Sequence, residues 1–161
     1  MMREFKANSA GFTLIELMVV IAIAAILLTV GVPMMRSTTA NSEADSVRQT
    51  LELDINFARN KAITFAENVI ITPAASGFDG GWTINLKASG DLIRARDAYD
   101  DDVDITSAVF NDATPIEFDV EGRSITDGAL TIKVDGCTGN RVRTLTLNKI
   151  GQLIVTEAAC S

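Results

Sequence analysis

Polar and apolar residues divide this chain into three regimes. From Phe12 through Met35 nearly every position is apolar, and the one ionisable side chain is Glu16. A helix of about 20 such residues is long enough to cross a bilayer, so 12–35 reads as a transmembrane or assembly helix. Gly31 and Pro33 lower helix stability near its end, and Pro33 removes a backbone hydrogen bond, which predicts a bend there.

The second regime has helical period. Ala44, Val47, Leu51, Ile55, Ala58, Ala62 and Phe65 recur at spacings of three and four, while Glu43, Asp45, Arg48, Glu52, Asn56 and Asn60 fall largely off that face. Residues 36–67 therefore continue the helix as an amphipathic segment. After Asn68 the period changes to that of strands, with β-branched or alternating runs at Val69–Thr72, Trp82–Leu86, Leu92–Ala95, Val103–Thr106, Ile116–Val120, Leu130–Val134, Val142–Leu147 and Leu153–Thr156. Gly, Asp, Asn and Ser clusters separate them. The expected fold is α+β: a long N-terminal helix packed on an antiparallel sheet domain over 68–161.

Glu16 needs an explanation, because a carboxylate inside such an apolar run costs roughly 2.5–3.5 kcal/mol on insertion scales and calls for a partner. The preceding residues, 1–11, form a short polar leader carrying Arg3 and Lys6 and ending in Gly11. In a secretory signal the small-residue cut follows the apolar region; here it precedes it, so a cut after Gly11 keeps the apolar helix on the mature chain.

The string Gly11-Phe12-Thr13-Leu14-Ile15-Glu16, followed by an apolar helix with Pro33 near its end, resembles the class III leader of type IV pilins and type II secretion pseudopilins. The resemblance implies that a prepilin peptidase cuts between Gly11 and Phe12 and N-methylates Phe12, and that Glu16 neutralises the amino terminus of a neighbouring subunit during assembly. Ala58-Arg59-Asn60-Lys61-Ala62, Val69-Ile70-Ile71-Thr72 and Gly81-Trp82-Thr83-Ile84 are similar to the helix end, first strand and Gly-Trp pattern of the GspH/FimT branch of minor pilins. Together the two resemblances imply a FimU/FimT-like minor pilin. Such a subunit sits in the inner membrane with a cytoplasmic N-terminus and periplasmic head, then passes to the pilus and cell surface. Its implied partners are major and minor pilin subunits, the prepilin peptidase, the inner-membrane assembly platform and, before assembly, the lipid bilayer.

Charge narrows the function further. A formal net charge of −7 argues against general nucleic-acid binding. The chain has no histidine, which removes histidine general bases, Ser-His-Asp triads and the usual zinc motifs. No Gly-rich phosphate loop is present, so neither an enzyme nor a cofactor or metal is expected. The acids between Asp97 and Asp104 lack the order and the glycine of a calcium loop, and read as a solvated loop.

Cys137 and Cys160 bracket an expected hairpin turning at Asn148-Lys149-Ile150-Gly151, and antiparallel pairing brings both sulfurs to its open end, so a disulfide is expected in the oxidising periplasm. Arg141 and Arg143 alternate with Val142 and, with Lys149, form a basic spot. It is similar to the tail of FimT proteins that bind DNA during natural transformation, and a DNA contact through these residues is one alternative function. The other alternative is a GspH-like minor pseudopilin of type II secretion, which shares every motif.

Overall fold

The computed structural model describes residues 12–160, except the side chains of 30–34. Gly11, the expected cleavage position, and the side chain of Pro33, the expected bend, lie outside the described residues. The chain forms two compact units, residues 1–36 and 37–161.

Helix α1 spans Leu14–Phe65. Its large apolar side chains between Leu14 and Leu28 are exposed. Among the described residues no helix is long and apolar enough to cross a membrane; the span read from the sequence runs through positions 30–34.

The second unit takes its shape from the stripe. Ala44, Val47, Leu51, Ile55, Ala58 and Ala62 are fully buried, whereas Phe65, placed on the same face by the sequence pattern, is exposed. The helix ends there. Ala66 adopts a left-handed backbone (φ 50°), Glu67 N donates to Ala62 O at 3.3 Å and Ala66 N to Ile63 O at 3.4 Å. This pair of bonds closes the helix as a Schellman motif and turns the chain away before Phe65 can reach the core.

Eight strands follow: β1 (Val69–Ala74), β2 (Gly77–Leu86), β3 (Leu92–Arg96), β4 (Val103–Thr106), β5 (Ile116–Phe118), β6 (Gly128–Val134), β7 (Val142–Leu147) and β8 (Leu153–Ala158). They build two four-stranded sheets where the strand pattern alone suggested one. The orders are β3-β2-β1-β5 and β4-β6-β7-β8, and all pairs are antiparallel. The split arises because β4 leaves its neighbour β3 to pair with β6, while β5 returns to β1.

Alternation then directs the inner faces to one place. Val69 and Ile71, Ile116 and Phe118, Leu130, Ile132 and Val134, and Leu145 and Leu147 join the helix stripe in one core. Every buried residue of that core lies between Ala40 and Leu147, with Leu153 packed against it, so the unit 37–161 carries a complete hydrophobic core of its own, which is what an independently folding unit requires.

Candidate assembly site

The start of α1 is built by a local hydrogen-bond exchange. Thr13 precedes the first helical residue and Glu16 is the third residue of the helix. Thr13 N donates to Glu16 Oε2 at 2.9 Å, Thr13 Oγ1 donates to the same oxygen at 2.8 Å, and Glu16 N donates to Thr13 Oγ1 at 3.3 Å. This is a capping box, with the T-x-x-E spacing legible in the sequence. The acid read as partnerless within its own segment thus has a partner three residues away.

The box uses one carboxylate oxygen. Among the described residues nothing donates to Oε1, so the group keeps a lone-pair face and a full charge for a cation. Around it Phe12, Leu14, Ile15, Leu17 and Met18 are all more than half exposed. A contiguous apolar surface of this kind is stable only when lipid or protein covers it.

In the head, two arginine pairs each hold one helix aspartate. Asp54, with a fully buried side chain, accepts from Trp82 Nε1 at 3.0 Å, from Arg96 Nε at 2.8 Å and Nη2 at 3.0 Å, and from Arg94. Asp45 accepts from Arg143 Nη2 at 2.9 Å and from Arg141 Nη1. The two aspartates are nine residues apart, and at about 100° per residue they project from opposite sides of the helix. Asp54 fastens sheet β3-β2-β1-β5, and Asp45 fastens sheet β4-β6-β7-β8.

Burial pushes the Asp54 carboxyl up, but the hydrogen bonds from Arg96, Arg94 and Trp82 together outweigh it and hold the group below the ordinary carboxylate range. Asp45 follows the same logic: burial raises it, and Arg143 and Arg141 bring it below its ordinary value. The guanidinium of Arg94 also lies 3.7 Å from the Phe57 ring centroid, and Trp82 sits 6.0 Å from both Phe78 and Tyr99. Gly81, with φ 89°, permits the packing beside Trp82, since a Cβ there would strike the backbone of Arg96 and Asp97.

The two arginines of the expected DNA contact already have partners in the head. Arg141 and Arg143 do share a strand face, but that face meets the helix. The Arg143 side chain is 5% exposed, donates to Asn140 O at 2.7 Å and lies 3.1 Å from Glu157 in addition to its bond with Asp45. A guanidinium already satisfied by two carboxylates and a carbonyl has no fork left for a phosphate. Lys149 is exposed at the β7–β8 turn, 3.7 Å from Asp127.

Cys137 and Cys160 are joined by a disulfide, with Cα atoms 5.9 Å apart. The closed loop is fastened to the helix as well: Asn41 Nδ2 donates to Thr138 Oγ1 at 3.1 Å, and Thr138 N donates to Asn41 Oδ1 at 2.9 Å. In the acidic run, Val103 N donates to Asp100 O and Asp135 N to Asp102 O, so the run makes a turn. Burial, then the charges of Asp102 and Asp100, raises the nearby Glu43 carboxyl. Among the described residues no group of three or more His, Cys, Asp or Glu is placed to hold a metal.

Comparison with known proteins bears on this arrangement. The family model described as type II transport protein GspH matches residues 48–151, and that of the prokaryotic N-terminal methylation motif matches residues 6–32. The crystal structure of the type IV minor pilin FimU from Pseudomonas aeruginosa is similar, with a TM-score of 0.54 and 17% identity over 78% of this chain and 95% of that one. The minor pseudopilin EpsH of the type 2 secretion system of Vibrio cholerae is also similar, with a TM-score of 0.56 and 13% identity over 71% of this chain and 97% of that one. Curated proteins show no significant match.

Proposed function

Since the chain belongs to the GspH family of minor type IV pilins and pseudopilins, structural proteins rather than enzymes, we propose that it takes its place in a pilus through the Phe12–Glu16 end of α1. A prepilin peptidase cuts between Gly11 and Phe12 and methylates the new amino terminus. The apolar helix over 12–35 is held in the inner membrane with the head in the periplasm, then leaves lipid for the helices of sister subunits. Glu16 meets the Phe12 ammonium of a neighbour.

The observation that carries this reading is the one-sided use of the Glu16 carboxylate in an exposed apolar helix. Two opposite charges in a low-dielectric bundle attract strongly, while either one left alone keeps its desolvation cost. Correct stagger between subunits is thereby favoured over every other. Minor subunits of this kind prime assembly at the filament tip and so support twitching motility and adhesion. DNA uptake through Arg141 and Arg143 is not part of the proposal, because Asp45 occupies both.

A second reading, a minor pseudopilin of type II secretion, is favoured by the description of the matching family and by EpsH. Deleting the gene separates the two. Loss of surface filaments and twitching with normal export supports the pilus, whereas loss of an exported hydrolase with normal filaments replaces it with the secretion system.

A further inference from the structure

The sheet β4-β6-β7-β8 ends in two edges of opposite character. Edge β4 is four residues long and lies among Asp100, Asp101, Asp102 and Asp104, the charged surround that keeps a free edge from pairing. Edge β8 is six residues long and has neither proline nor lysine. From Ile154 to Ala158 it is exposed on both faces. Its one charge, Glu157, is matched by Arg143 at 3.1 Å.

A row of threonines, one from each strand, crosses the outer face of the same sheet, and β7 adds a second outward threonine, Thr146. Thr106 is opposite Thr131, Thr131 opposite Thr144, and Thr144 opposite Thr156. The hydroxyls of Thr131 and Thr144 are 3.4 Å apart. The row ends at Thr156, on the unguarded edge.

We propose that β8 pairs antiparallel with β8 of a second copy of this chain, about a two-fold axis through Thr156. Such an axis keeps outward residues outward. Thr156 then faces its own counterpart, Ile154 faces Ala158, and Val155 faces Glu157, so the threonine row continues across eight strands. Threonine pairs, aliphatic contacts and a fresh set of backbone hydrogen bonds all favour the contact. A partner identical to this chain also carries a net charge of −7, and this edge brings no unmatched acid of one copy against an acid of the other. The contact is isologous, so it closes after two copies.

The inference rests on the head alone and stands apart from the filament reading. Sedimentation velocity on the 37–161 unit tests it. A concentration-dependent dimer is expected, weakened by about tenfold or more in Thr156→Lys, where like charges meet across the axis. Thr106→Lys, on the far edge of the same row, leaves the dimer unchanged. Under mild oxidation Thr156→Cys gives a covalent dimer and Ile154→Cys does not, because only residue 156 faces itself. A monomer at every concentration overturns the proposal, as does a Thr156→Lys protein that dimerises like the parent or linkage at residue 154 in place of 156.

Discussion

Glu16→Ala is expected to leave the protein processed and membrane-held but to lower its amount in sheared filaments about a hundredfold. On the proposed pairing, the change leaves an unpaired ammonium at the neighbour's amino terminus inside an apolar bundle. Removing one member of such a pair costs about 3 kcal/mol or more, which converts to a factor of roughly a hundred. Alanine also deletes the capping box with Thr13, worth about 1 kcal/mol to the helix start. Two further variants divide these effects. Glu16→Gln keeps an oxygen for the Thr13 bonds and discards the charge, and should be as defective as alanine; Thr13→Val discards the cap hydroxyl and keeps the charge, and should incorporate within a few-fold of normal. Quantitative immunoblots of the sheared fraction against total membrane protein read all three. Normal incorporation of Glu16→Gln would make the cap, and not the charge, the role of this residue.

Asp54→Ala is expected to be the most destabilising single change in the head. The carboxylate is fully buried and takes bonds from Trp82, Arg94 and Arg96. Its loss orphans the indole N–H and leaves two cations facing each other, though both arginines remain about a third exposed and turn partly to water. A cost of about 2–4 kcal/mol follows, or a fall of roughly 10 °C in the melting temperature of the 37–161 unit.

The pH dependence supplies an independent reading of the same contact. Because the folded-state pKa values of Asp54 and Asp45 are lowered, their stabilisation is complete above the unfolded carboxylate range, about pH 4, and fades as pH falls through the lower folded values. In Asp54→Ala the acid limb of the stability profile should flatten while the rest shifts down uniformly. An unchanged acid limb would assign that limb to other carboxylates.

The eight strands and the helix stripe were legible because their signal is local: alternation and three-four spacing are set by which side of each element faces the core. The division into two sheets was not. It depends on β4 choosing β6 and β5 choosing β1, pairings between distant segments that no local pattern encodes. Asp54 was hidden for a related reason. It sits beside Ile55 on the edge of the stripe, and its partners Arg94 and Arg96 lie some forty residues away.

The R-x-R spacing was nevertheless the available clue. It occurs twice, at Arg94/Arg96 and Arg141/Arg143, and in both places two arginines on one strand face grip one helix acid. The same spacing read as a phosphate fork because alternation reports only that two side chains share a face. It does not report what that face meets. At Thr13 and Glu16 the sequence carried the complete T-x-x-E capping pattern, which the apolar run around it overshadowed.

Mass spectrometry of the mature protein, purified from its native membranes or filaments, tests the filament account most directly. An N-terminal N-methylphenylalanine at Phe12, with the apolar helix intact behind it, is the expected product. A chain still carrying residues 1–11, or one cut after the apolar helix, would contradict it.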